Sequence, residues 1–188
     1  MSPILGIIAS SNFQAVTNSY ASIATTTLTT ATASVTFSSI PATYTHLQLR
    51  GIGRSAQSGA GNNNGIYARF NSDSGANYAF HFLSGNGTAA SAAGVATQTE
   101  LFVNAANPRG GDTASAYSAQ VIDILDYANT NKYKTVRALT GDDLNGSGIV
   151  RLFSGLWMSA TAISSITLTM EGNFETYSQF ALYGVKGA

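Results

Sequence analysis

The sequence predicts an all-β fold, a β-sandwich of the jelly-roll type behind a short N-terminal arm. Three observations predict it. Short runs rich in Val, Ile, Thr, Tyr and Phe recur along the chain, separated by Gly/Asn/Ser clusters. Many of these runs alternate apolar and polar residues with period two. No window carries a capped apolar stripe of helical period.

Strands are expected in order at Ser19–Thr29, Ala33–Phe37, Thr45–Gly53, Gly65–Asn71, Asn77–Leu83, Gln98–Val103, Ala116–Leu125, Tyr133–Leu139, Gly148–Met158, Ser164–Glu171 and Ser178–Lys186. In the third, Leu47 and Leu49 point one way while His46, Gln48 and Arg50 point the other. In the fifth, Tyr78, Phe80 and Phe82 oppose Asn77, Ala79 and His81. Near Val121–Leu125 both faces are apolar, the mark of a central or covered strand. In the tenth, Ile166, Leu168 and Met170 oppose Ser165, Thr167 and Thr169. Pro41 ends one strand and sets a turn before the next. Asp126–Asn131 reads as a helical turn or a plain loop. Ser55–Asn64, Ser84–Gly94 and Ala105–Ala114 are rich in Ser, Ala, Gly and Asn and read as loops. So many short strands favour a jelly roll over the alternative, an immunoglobulin-like Greek key.

Residues 18–188 are expected to form one sandwich domain, with residues 1–17 as an arm that docks on a neighbour or an edge strand on its own domain. A chain of 188 residues buries a real core without staples. With no Cys there is no disulfide, thiolate zinc site or cysteine nucleophile. Nine Lys+Arg balance nine Asp+Glu, so no electrostatic footprint for nucleic acid or an anionic membrane exists. No run reaches the 18 or so apolar residues of a membrane helix.

Charged residues make up only 10% of the chain, against about 25% in an ordinary soluble domain. A free-standing sheet protein guards its edges with charge. A surface of Ser, Thr, Asn, Gly and Ala is therefore expected to be covered by other subunits.

The search for chemistry returns no catalytic residue, cofactor site or metal site. His46 and His81 lie on separate strands without a third ligand. Gly51-Ile52-Gly53-Arg54-Ser55-Ala56 follows a strand but opens no helix, so it lacks the anion-binding terminus of a dinucleotide site. No nucleophile-elbow pattern occurs. Asp142-Asp143-Leu144-Asn145-Gly146 reads as a polar turn, with calcium as the lesser alternative, since the spacing and terminal Glu of a calcium loop are missing. Candidate partner contacts are Ile4, Leu5, Ile7 and Ile8 on the arm, and Trp157 as a core or interface anchor.

Several stretches carry a family resemblance. They are Phe37-Ser-Ser-Ile-Pro-Ala-Thr-Tyr-Thr-His-Leu47, Arg69-Phe-Asn-Ser-Asp73-Ser-Gly-Ala-Asn-Tyr78, Asp126-Tyr-Ala-Asn-Thr-Asn-Lys-Tyr-Lys-Thr135, Ser154-Gly-Leu-Trp157 and Phe180-Ala-Leu-Tyr-Gly-Val-Lys186. The opening Ile4-Leu-Gly-Ile-Ile-Ala-Ser10 belongs with them. Through these the chain resembles small virion structural proteins of tailed bacteriophages. The resemblance implies a capsid decoration (cement) protein or a tail-fibre component, located in the virion. Its expected partners are the major capsid protein and further copies of itself, as a trimer. A tail-tip module that binds a host glycan or receptor is the alternative. A polysaccharide-degrading enzyme ranks last, because acids are few and no reaction motif appears.

Overall fold

A computed structural model describes residues 19–61 and 64–186. The expected arm, with Ile4, Leu5, Ile7 and Ile8, lies outside the described residues. Twelve strands follow in order: β1 (Tyr20–Thr27), β2 (Thr32–Phe37), β3 (His46–Gly53), β4 (Asn64–Phe70), β5 (Tyr78–Gly85), β6 (Ala90–Gln98), β7 (Leu101–Asn107), β8 (Ser118–Ile124), β9 (Lys134–Asp143), β10 (Gly148–Trp157), β11 (Ile166–Phe174) and β12 (Gln179–Val185).

They form two antiparallel sheets that pack as a sandwich. The large sheet runs β1-β12-β3-β8-β9-β10-β5-β6 and the small one β2-β11-β4-β7. Setting aside the hairpins β5–β6 and β9–β10, the eight remaining strands renumber as 1-8-3-6 facing 2-7-4-5. That double Greek-key order is consistent with a jelly roll. The two hairpins are insertions, and both add to the large sheet beyond β8.

The alternating residues explain the layers. Leu47, Leu49, Ile66, Phe70, Tyr78, Ile166, Leu168 and Leu182 are all buried in one core between the sheets. Leu101, at the start of β7, meets β10 at Gly155, where any Cβ would lie 2.6 Å from a Leu101 methyl. A glycine is required there because the small sheet's edge rests on the large sheet's backbone.

A buried polar seam joins the sheets near one end. The Asn104 side-chain amide donates to Asn107 Oδ1 at 3.2 Å and to Gln120 Oε1 at 3.0 Å. Ser118 donates to Asn107 Oδ1 at 2.6 Å. Asn107 in turn donates to the Asn64 carbonyl at 2.7 Å, and Asn64 to Ser55 Oγ at 2.7 Å. The seam ties β4, β7 and β8 together, because buried polar groups must find partners.

Two buried cations hold loops through carbonyls. The Arg54 guanidinium donates to the carbonyls of Thr113 at 3.0 Å and Ala116 at 2.8 Å, and also to Arg109. Lys134 Nζ donates to the carbonyls of Asn129, of Lys132 at 2.8 Å and of Ala160 at 3.2 Å. Burial pushes the Lys134 amine below its ordinary range, with Asp126 opposing the shift.

One sequence expectation changes and another is narrowed. The segment Ser84–Gly94, read as a loop, contributes most of strand β6. Its Ala, Ser and Gly content gives a weak strand signal, and pairing with β5 makes the strand. Asp126–Asn131 is a turn, closed by the Asn129 N–H donating to the Asp126 carbonyl at 2.9 Å. Three arginines find partners within the chain: Arg54 on carbonyls, Arg69 on Glu100 and Arg137 on Asp123.

Candidate interaction surface

The outward face of the large sheet carries most of the exposed large apolar residues. Cross-strand register places Val121, Leu139, Leu152, Leu83 and Ala92 side by side, one each from β8, β9, β10, β5 and β6. Leu83 is 59% exposed, Leu139 55%, Leu152 43% and Val121 37%. These large side chains form a ridge perpendicular to the strands.

Two residues further along each strand lies a second row. Ala119, Gly141, Val150, Gly85 and Ala90 are again in register. Apart from Val150, which is 54% exposed, every member is Gly or Ala. The row is therefore a shallow groove alongside the ridge, flanked by Tyr117, Asp142 and Asp143.

A polar ribbon bounds the ridge on its other side. Arg50 Nε donates to Gln48 Oε1 at 2.6 Å, Gln48 Nε2 to Asp123 Oδ1 at 2.8 Å, and Arg137 to Asp123 Oδ2 at 3.0 Å. The Arg50 guanidinium also lies between the rings of Tyr20 and Tyr183, 5.2 and 5.4 Å from their centroids. Between ribbon and hairpin tips no charged residue stands on the two rows.

Strand β6 closes this side of the sheet as an edge. Residues 90–97 are exposed, and the strand contains no Lys, Arg, Asp, Glu or Pro. Its second hydrogen-bonding side pairs with no described strand. An edge of that length without charge is an open template for another surface or strand.

The remaining candidates resolve as structural. Trp157 is buried in the core and anchors this chain's own sheets: its ring lies 5.5 Å from Phe70 and 6.4 Å from Tyr78, and its indole N–H donates to Asp73 Oδ2 at 2.7 Å. That hydrogen bond, with a smaller one from Asn77, holds the Asp73 carboxyl below its ordinary range. In the Asp142–Asn145 turn the carboxylates accept from backbone amides: Asp142 from Ile149 at 3.0 Å, Asp143 from Asn145 at 2.9 Å. Among the described residues no group of three or more His, Asp or Glu is placed to hold a metal ion. His46 sits on β3, 3.7 Å from Asp126, and His81 on β5 lies over Gly94.

Sequence reasoning missed the ridge and groove. A signal was present, because Leu139, Leu152 and Leu83 interrupt the alternation of their strands beside Ala138, Phe153 and Phe82. Compared with protein-family models, curated proteins and solved structures, the chain matches none.

Proposed function

We propose that the chain is a virion structural protein, a capsid decoration (cement) protein that binds the outside of a phage shell and stabilises it. The observation that carries this reading is the uncharged ridge, groove and open edge on the large sheet. A monomer that works alone covers or charges such surfaces, whereas an assembling subunit keeps them for contact. The resemblance of Phe37–Leu47, Arg69–Tyr78 and Asp126–Thr135 to phage virion proteins supplies the setting. Clamping is then multivalent, and many modest contacts on one shell give an avidity that no single contact has. Ile4, Leu5, Ile7 and Ile8 are the residues proposed to meet the major capsid protein.

Adding the purified protein to shells that lack it, and heating both, tests this reading. Decorated shells are expected to rupture at a higher temperature. Shells that bind no protein and gain no heat resistance contradict it.

One feature favours the alternative, a tail-tip module that binds a host glycan or receptor. Tyr177 is 70% exposed and has φ of 68°, in the region bulky residues avoid. Backbone cost at an exposed aromatic residue is a common mark of a binding loop. Glycan-array binding that vanishes with Tyr177→Ala supports this alternative over the first.

A further inference from the structure

We propose that the outer face of the large sheet pairs with the same face of a second copy, about a two-fold axis running across the strands between ridge and groove. This goes beyond the virion role and does not depend on it. A two-fold contact requires a self-complementary surface, and the two rows supply one. Such an axis exchanges the two rows, so each ridge residue meets the groove residue of its own strand in the other copy. Leu139 then faces Gly141, Leu83 faces Gly85, and Val121 faces Ala119. Only Leu152 meets a second large residue, Val150. Large opposite small across both halves is the pattern that lets stacked sheets interdigitate.

Charge follows the same symmetry. Arg137 lies one step beyond the ridge on β9, and Asp143 one step beyond the groove on the same strand. The axis that pairs Leu139 with Gly141 brings Arg137 of each copy to Asp143 of the other. Arg137 is exposed, with a side chain 65% accessible despite its contact with Asp123. The pair therefore gains two flanking opposite-charge contacts around an uncharged centre, the layout of a specific interface.

Size is sufficient. Five strands about 4.8 Å apart, over roughly 20 Å of their length, cover on the order of 500 Å² per copy. Two copies reach the ~1,000 Å² in total that marks a specific contact. The two-fold pair differs from the trimer expected from the sequence.

Sedimentation velocity of the full chain, diluted from roughly 100 µM down through a micromolar Kd, tests the proposal, with the dimer read at the top concentration. Wild type is expected at twice 19.5 kDa. Leu139→Glu is expected to raise the dimer Kd roughly 30-fold or more, with its melting temperature retained. Arg137→Glu and Asp143→Arg are each expected to weaken the pair about tenfold, and the double exchange to recover most of the loss. The exchange pair decides the question if Leu139→Glu fails to fold. A monomeric or trimeric wild type, an unimpaired Leu139→Glu dimer, or no recovery in the double variant overturns it.

Discussion

Trp157 shows how one residue serves core and turn together. Its ring fills the space between Phe70 and Tyr78, and its N–H fixes the Asp73 carboxylate that also orders Asn77 and Gly75. Trp157→Phe keeps most of the packing but removes the donor. It is expected to lower stability by about 2 kcal/mol in urea unfolding. Lys134 is a second case. Lys134→Met removes the buried charge and strands three carbonyls, so a loss of about 2–4 kcal/mol is expected by the same measurement. Sequence offered Trp157 as a core or interface anchor, and its burial against Phe70 and Tyr78 makes it a core residue and not a partner contact. The role of Lys134 was not legible. Its partners are backbone carbonyls from Asn129, Lys132 and Ala160, which no residue pattern announces.

At the scale of elements, alternation carried most of the information. Leu47/Leu49, Tyr78/Phe80 and Ile166/Leu168/Met170 put their strands in place with the correct face inward. Strand β6 escaped because Ala, Ser and Gly have no face to alternate. Its position comes from the register of β5, a tertiary fact. Two substitutions separate the roles of these strands. Gly155→Val forces side-chain volume into Leu101 and is expected to cost about 1–3 kcal/mol in thermal unfolding. Ala93→Lys on exposed β6 is expected to change stability by less than about 0.5 kcal/mol, while lowering edge-driven aggregation in light scattering.

For the whole molecule, the pH response follows from two carboxylates. Hydrogen bonds from Trp157 to Asp73 and from Lys132 to Asp126 hold both below their ordinary value of 3.8. Each favours the folded state at any pH above that value. The contribution is lost as pH falls through the lowered folded pKa. Stability is thus expected to be flat from pH 5 to 7 and to fall below about pH 4, and Asp73→Asn is expected to flatten part of that acid limb in urea titrations. The fold class was legible because period-two patterning and turn residues agree along the chain. The interaction surface was not, since ridge, groove and the Arg137–Asp143 relation exist only once β8, β9, β10, β5 and β6 stand in register. The proposed virion role rests on surfaces that an assembly would cover. Near-atomic cryo-electron microscopy of phage particles assembled where this chain is made tests it most directly. The account predicts many copies distributed over the outer surface of the shell. A few copies confined to the tail, or none in the particle, would contradict it.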